Sequence, residues 1–237
     1  MTEMDQPLDA RAVVAEAMGT SFLLAAVVGS GIMGERLAGG NVAIALLANS
    51  LATGAALAAL ILTFGPISGA HFNPAVTMVE AMQGRLPAAR AFGYVVAQML
   101  GALAGVIVAH VMFSEPLLMA STHQRSGAAQ IFSEFIATFG LITVIARVSR
   151  TRASAVPFAV GAYVAAAYWF TSSTSFANPA VTVARAFTNT FAGIRPADVA
   201  GFLAGQIPGA FAGMVVCRWL ASGTRAEVEI DARVTLP

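Results

Sequence analysis

The pentapeptide Asn-Pro-Ala-Val-Thr occurs twice in the chain, at residues 73–77 and 178–182. Asparagine caps the first amides of a helix and proline fits at the first helical position, so each copy predicts a helix start. Two helix N-termini carry partial positive charge, and the side-chain N–H groups of their caps are expected to donate hydrogen bonds to a small polar molecule. The motif residues are Asn73, Pro74, Ala75, Asn178, Pro179 and Ala180.

The elements that position these motifs are predicted to lie in a membrane. Hydrophobic residues make up 57% and charged residues 11% of the 237 positions, and this composition excludes an ordinary soluble domain. About twenty apolar residues span a bilayer, and six stretches are long enough: 12–33, 42–64, 88–113, 130–148, 153–170 and 197–220. The motifs predict two half-helices, at about 73–83 and 178–187. The predicted fold class is an all-α membrane protein with six transmembrane helices and two re-entrant half-helices.

The chain is predicted to be an internal duplication. Glu16 and Gln98 around the first motif correspond to Glu134 and Gln206 around the second, in the same order. Each half has an odd number of spans, so the second half is expected to be inverted relative to the first. The predicted units are a first repeat at 1–113, a connecting loop at 114–129, a second repeat at 130–220 and a polar tail at 221–237, which we expect to be mobile.

The residues before each motif are expected to be non-helical. Irregular backbone inside a membrane must be buried in protein or line a water-filled path, so these residues are predicted to offer a ladder of carbonyl oxygens to a passing molecule. The side chain of His71 has an alternative role as a gate. The predicted ladder consists of Gly69, Ala70, His71, Phe72, Thr174, Phe176 and Ala177.

Several classes of function are excluded by what the sequence lacks. Cys217 is the only cysteine, which rules out an internal disulfide, and no histidine or acidic spacing suggests a metal site. No nucleophile with a base is apparent, so we predict no enzyme activity, no metal and no cofactor. A secondary transporter is an alternative because it also uses inverted repeats, but it would need carboxylates beside Asn73 and Asn178.

The orientation in the membrane is predicted from arginine, since the chain has no lysine. With both termini in the cytoplasm, nine arginines lie inside and four outside, as the positive-inside rule requires. The four predicted to lie outside are Arg36, Arg125, Arg185 and Arg195.

The sequence resembles the major intrinsic proteins, the family of aquaporins and glycerol channels, over about residues 10–220. The segment at 68–77 fits the family's first signature, and Glu16, Gln98, Glu134 and the second Asn-Pro-Ala follow in the expected order. The resemblance implies a right-handed helical bundle with one pore per subunit, and a homotetramer. It also implies that Glu16 and Glu134 brace the re-entrant loops by accepting hydrogen bonds from their backbone.

One departure from the family pattern concerns the outer constriction, or selectivity filter. Most members carry arginine directly after the second Asn-Pro-Ala, where this chain has Val181. Family spacing places the other filter positions at Thr53, Ala166 and Ser175, so the resemblance implies a wide, weakly polar filter. Arg185 lies one helical turn beyond Val181 and is either a positive charge in the outer vestibule or a packing residue.

This combination is similar to a bacterial branch of the family associated with arsenic-resistance operons, whose members pass undissociated arsenous and antimonous acids. We therefore predict a passive channel of the bacterial cytoplasmic membrane for water, glycerol-like polyols and these neutral hydroxides. Anionic organoarsenicals are further candidates, and a water-selective channel is the alternative. The expected partners are small neutral solutes, water, membrane lipid and further copies of the chain, with no nucleic acid.

Overall fold

The computed structural model describes the backbone of residues 9–234 and the side chains of residues 9–222. Over that range the chain forms eight α-helices and no β-strand. The helices are α1 Ala10–Leu37, α2 Val42–Ser68, α3 Pro74–Met82, α4 Ala88–Phe113, α5 Ala128–Thr151, α6 Val156–Phe170, α7 Pro179–Ala184 and α8 Val199–Val234. Short 3-10 turns precede α6 and α8 and follow α7, at Ala153–Ala155, Pro196–Asp198 and Arg185–Phe187.

Six helices are long and apolar enough to cross a membrane, and they contain the six stretches predicted from the sequence. The two remaining helices, α3 and α7, are the predicted half-helices, so the predicted fold class is confirmed. Helix α8 continues without a break to Val234, so the predicted polar tail is helical up to that residue. Residues 235–237 lie outside the described part of the chain.

The ends of the helices follow local chemistry. The Asp9 carboxylate accepts a hydrogen bond from the Arg11 amide at the start of α1, and the Asn41 side chain accepts from two amides at the start of α2. Helix α2 ends at Gly69, whose φ of 89° is a left-handed conformation that only glycine adopts without strain. Gly69 thus turns the chain out of the second span towards the first motif.

In both halves of the chain, a pair of glycines lets two helices pack closely. Gly101 and Gly105 of α4 lie against the backbone of Ala17 and Ser21 in α1, and Gly209 and Gly213 of α8 lie equivalently against α5. A Cβ atom at Gly105 would overlap the Ser21 carbonyl oxygen. Small residues at this spacing let membrane helices approach closely. The bundle therefore contains two equivalent close helix pairs, α1 with α4 and α5 with α8.

Changing Gly105 to alanine is expected to destabilise the bundle by about 1–3 kcal/mol, because the added methyl group must push two backbones apart. Gly65 in α2 is a matched control, since a Cβ there meets no atom within 4 Å. The thermal unfolding temperature of the detergent-solubilised protein should fall for Gly105→Ala and stay level or rise for Gly65→Ala. Equal shifts in the two variants would contradict this account of helix packing.

Candidate functional site

The two half-helices meet at their N-termini. The Asn73 side-chain oxygen accepts a hydrogen bond from Ala75 N at 2.9 Å, and the Asn178 oxygen accepts from Ala180 N at 3.0 Å, so both asparagines are N-caps. The same side chains also join the half-helices. Asn73 Nδ2 donates to Ala177 O at 2.8 Å, and Asn178 Nδ2 donates to Phe72 O at 2.8 Å.

These cross-links correct one expectation. The sequence predicted that both asparagine amides donate into the path. In the structure, one N–H of each amide instead donates to the backbone carbonyl oxygen just before the opposite cap. A side-chain amide has two N–H groups. One donor on Asn73 and one on Asn178 therefore remain for a passing molecule.

The backbone before each cap is held in an unusual conformation. Ala70 and Phe72 have φ values of 52° and 49°, and Ser175 and Ala177 have values of 46° and 47°. Each non-glycine residue in this left-handed region costs about 1–3 kcal/mol, so neighbouring contacts must hold it there. Glycine appears only at Gly69, and the sequence therefore gave no sign of the other strained positions.

Two buried carboxylates provide those contacts. Glu16 accepts hydrogen bonds from the His71 and Phe72 amides at 2.9 and 2.7 Å. Glu134 accepts from the Phe176 and Ala177 amides at 2.9 and 2.8 Å. Both glutamates are fully buried. Each carboxylate is the acceptor in all of these bonds.

Two glutamines connect these carboxylates to the half-helices. Gln98 Nε2 donates to Glu16 at 2.8 Å and to the Thr77 hydroxyl at 2.9 Å. Gln206 Nε2 donates to Glu134 at 2.6 Å and to the Thr182 hydroxyl at 2.8 Å. The two networks share the two backbone amides, the glutamine and the threonine, as expected for a duplicated unit, and Glu16 accepts one further hydrogen bond from the Ser68 hydroxyl at 2.6 Å.

A single cavity of about 600 Å³ passes both capping asparagines. Because α3 and α7 point away from each other, their C-terminal ends mark opposite ends of this cavity. Glu80 and Arg85 lie at the α3 end, and Arg185 lies at the α7 end. Further lining residues include Leu23, Val27, Leu57, Ile61, Val76, Val160, Val164 and Cys217. The walls between the polar ends are thus largely apolar.

Three of the four predicted filter residues line this cavity: Thr53, Ser175 and Val181. Ala166 does not. It lies two residues before Tyr168, roughly 200° around the helix, and its side chain is exposed on the outside of the bundle. Tyr168 lines the cavity instead, with its hydroxyl 3.3 Å from the Thr53 hydroxyl. The prediction of Ala166 is wrong, and Tyr168 places an aromatic ring in the cavity wall that the family spacing did not predict.

Six of the seven predicted ladder residues line the cavity: Gly69, Ala70, His71, Phe72, Phe176 and Ala177. Thr174 does not, because its hydroxyl faces Arg125 and accepts a hydrogen bond from Arg125 Nη1 at 3.3 Å. The His71 ring lies 3.1 Å from the Thr77 hydroxyl, measured from Nδ1. This contact ties the ring to the half-helix.

Two arginines lie at the α7 end. Arg185 is 1% exposed, lines the cavity and stacks on the Phe176 ring with its guanidinium carbon 3.4 Å from the ring centroid. Arg125 lies on the connecting loop and donates to Gly193 O at 2.8 Å. Burial lowers the pKa of the Arg125 guanidinium, although attraction to Tyr168 and Glu134 opposes this shift. The place of Arg125 in this site is not predictable from the sequence, since nothing in a polar loop distinguishes it from a solvated arginine.

The α3 end has a different charge arrangement. Arg85 donates to both carboxylate oxygens of Glu80, at 2.6 and 2.5 Å. The hydrogen bonds to Glu80 raise the pKa of the Arg85 guanidinium. Arg150 and Arg218 also line this end of the cavity. Among the described residues there is no group of three side chains that could hold a metal ion.

Taken together, these features define the class of protein. Six spans and two half-helices form an inverted repeat around a cavity that passes two capped helix starts. This is the architecture of a membrane channel. The family model for major intrinsic proteins matches residues 3–172, and the chain belongs to the major intrinsic protein family. It is accordingly an integral, multi-pass membrane channel for small polar solutes and not an enzyme.

Individual relatives agree with this assignment. The chain is 51% identical over 227 residues to aquaglyceroporin AqpS of Rhizobium meliloti, covering 96% of this chain and 97% of that protein. It is 32% identical over 211 residues to aquaporin NIP1-3 of Oryza sativa, covering 86% and 72%. The fold also matches the crystal structure of the aquaglyceroporin from Plasmodium falciparum, with a TM-score of 0.67, 20% identity and coverage of 88% and 94%.

Proposed function

We propose that the protein conducts water, glycerol-like polyols and neutral metalloid hydroxides such as arsenous and antimonous acid down their gradients. The observation that carries this proposal is the meeting of two capped half-helices beside the cavity, with one free N–H on each of Asn73 and Asn178. A hydroxyl oxygen can accept from both. Arsenous acid is an uncharged triol at neutral pH and resembles glycerol in size, so one path can serve both solutes.

The same site disfavours cations and proton transfer. Two helix N-termini place partial positive charge beside the path, which raises the energy of a cation there. A water that accepts from both asparagines has its orientation fixed and does not readily relay a proton along a file. Neutral molecules are not affected by this potential.

The filter is proposed to be wide because valine stands at position 181, where most family members have arginine. An apolar side chain leaves more room and imposes a smaller penalty on a polyol that passes it. Anionic organoarsenicals are included among the proposed solutes for the same reason. The proposed filter residues are Thr53, Ser175, Val181 and, in place of Ala166, Tyr168.

A water-selective channel is the second candidate. It is favoured by the Tyr168 ring and the Arg185 guanidinium, which both line the α7 end of the cavity. Bulky and charged groups at a constriction exclude polyols while admitting water. A secondary transporter is less favoured, because the carboxylates closest to the caps, Glu16 and Glu134, are occupied by backbone amides.

The proposed setting is a homotetramer in the bacterial cytoplasmic membrane with both termini inside. The arginines that line the α3 end of the cavity, Arg85, Arg150 and Arg218, would then face the cytoplasm. Arg36 contacts Phe113 and Glu115 at the opposite end, and it would lie outside. This arrangement satisfies the positive-inside rule.

Stopped-flow measurements on proteoliposomes test the proposal. Water, glycerol and arsenite permeabilities are each expected to exceed those of empty vesicles at least tenfold, with solute flux linear in the gradient and independent of sodium and of a pH gradient. High water permeability without solute flux would instead establish the water-selective candidate. Flux that saturates and follows sodium or protons would establish the transporter.

A further inference from the structure

The α7 end of the cavity holds positive charge without a partner carboxylate. Arg185 is buried, and Arg125 lies beside the same Phe176 ring with its guanidinium carbon 5.2 Å from the centroid. The ion pairs within the described part of the chain involve neither arginine. A buried charge without an opposite charge is costly, and natural proteins usually compensate it.

Arg185 is only partly satisfied by hydrogen bonds. Its Nε donates to Ala192 O, and its Nη1 is buried without a partner. The Ser175 hydroxyl, which lines the same cavity, is also buried without a partner. Two polar atoms of the constriction therefore have unused donor capacity.

The hydroxyl groups around Arg185 can donate as well as accept, and the Tyr168 hydroxyl also accepts a hydrogen bond from the Arg185 guanidinium. The Tyr168 and Thr53 hydroxyls bond to each other at 3.3 Å, so one of their two protons remains free to donate. Glu134 attracts Arg185 electrostatically but does not bond to it, because its oxygens accept from Phe176 N, Ala177 N and Gln206 Nε2. The site is rich in donors and carries net positive charge.

We infer that Arg185, Ser175 and Tyr168 form a binding subsite for a small monoanion with a carboxylate or similar oxyanion group. The anion would accept charge-assisted hydrogen bonds from the guanidinium and neutral ones from the two hydroxyls. It would also supply the negative charge that the two arginines lack. The subsite rests on the proposed function and deepens it, since a small oxyanion held there, the proposed anionic organoarsenicals included, occupies the shared path and competes with neutral solutes.

This subsite differs from an arginine at position 181. Arg185 lies seven residues after Asn178 and is anchored to Ala192 O and to the Phe176 ring. Its position is therefore set by the loop after α7, and Arg125 fixes that loop by donating to Gly193 O and Phe191 O. Arg125 is therefore a positioning residue for Arg185, and its own positive charge lies beside the Phe176 ring.

The test compares glycerol with glycerate, which has the same carbon skeleton and is a monoanion at neutral pH. Glycerate binding to the detergent-solubilised full chain is measured by calorimetry, and its inhibition of glycerol flux is measured in proteoliposomes. We expect Arg185→Gln to raise the dissociation constant and the half-inhibitory concentration at least tenfold. Ser175→Ala and Tyr168→Phe should raise both about threefold, consistent with the loss of one neutral hydrogen bond.

The matched control is Arg36→Gln, which removes an exposed arginine at the same end of the protein, outside the cavity. It should change neither value by more than twofold. Should Arg185→Gln not fold, Ser175→Ala and Tyr168→Phe provide the test, since each removes only a hydroxyl group. Glycerate affinity that is the same in these variants as in the wild type would overturn the inference.

The two proposals fail in different ways. Glycerate binding that depends on Arg185, without any glycerol flux in the wild type, would refute the proposed function and leave the subsite in place. Glycerol flux that glycerate does not inhibit, with no binding by calorimetry, would refute the subsite and leave the channel in place.

Discussion

Replacing Val181 with arginine is expected to lower glycerol permeability at least tenfold while water permeability falls less than threefold. Val181 is buried, lines the cavity and lies one turn before Arg185. An arginine there fills space in the constriction and adds a second guanidinium beside Arg185. A tenfold loss corresponds to an increase of about 1.4 kcal/mol in the barrier to glycerol passage. A large charged side chain in a confined path can readily impose a barrier of this size.

Val181→Met separates size from charge in this experiment. Methionine is long and uncharged, and its flexible side chain adapts to irregular space. We expect it to lower glycerol permeability about twofold to threefold by volume alone, so the charge accounts for the rest. Both variants are compared with the wild type by stopped-flow light scattering at equal protein content. If methionine reduces glycerol flux as much as arginine does, the filter selects by width only.

The features that could be predicted from the sequence are local ones. The caps at Asn73 and Asn178 follow from the chemistry of one helix start, and the six spans follow from runs of apolar residues. The repeat of Glu16 and Gln98 as Glu134 and Gln206 reveals the inverted duplication, because a duplicated unit repeats its buried polar residues in order. Each of these inferences uses residue types and their order along the chain, and none needs a tertiary contact.

The features that the sequence did not predict depend on distant contacts. Asn73 and Ala177 are joined by a hydrogen bond across 104 residues, and no local pattern indicates it. Ala166 was chosen by counting back from the second motif through residues 171–177, where positive φ values occur at Thr174, Ser175 and Ala177. The length of this irregular segment decides which face of α6 a residue at a given distance from the motif lies on. The family spacing therefore led to Ala166 on the outer face of α6 and not to Tyr168, which lines the cavity.

Arginine placement shows the same limit. A buried arginine is exceptional, and its burial at position 185 depends on the Phe176 ring and the Ala192 carbonyl oxygen. Both partners are brought there by the strained segment before α7 and the loop after it. The position of the Arg185 charge is consequently a tertiary property, and the residue type and spacing alone left a packing role open.

The strained segment itself depends on a buried carboxylate, and Glu134→Gln is expected to destabilise the protein by about 1–3 kcal/mol. Glu134 accepts from the Phe176 and Ala177 amides and from Gln206 Nε2, all of which are donors. Glutamine has nearly the same shape but replaces one acceptor oxygen with an NH₂ group. At least one buried donor then loses its partner and faces another donor.

Glu134→Gln is also expected to alter permeation, because the hydrogen bonds of Glu134 hold the backbone before α7 in place. Ser175 and Ala177 have left-handed φ values that are unfavourable without support. When the bracing weakens, Ser175 leaves the constriction and the Ala177 carbonyl no longer meets Asn73. Selectivity between water and glycerol should therefore change in the surviving protein, together with stability.

Thermal unfolding in detergent measures the first effect. A loss of about 1–3 kcal/mol corresponds to a fall of roughly 2–12 °C in unfolding temperature for a chain of this size. Glu16→Gln should behave alike, because Glu16 braces the first segment through the His71 and Phe72 amides. The control is Glu115→Gln at the protein surface, where the carboxylate pairs only with the exposed Arg36. An unfolding temperature for Glu134→Gln that matches this control would show that the left-handed segment holds its conformation without the carboxylate.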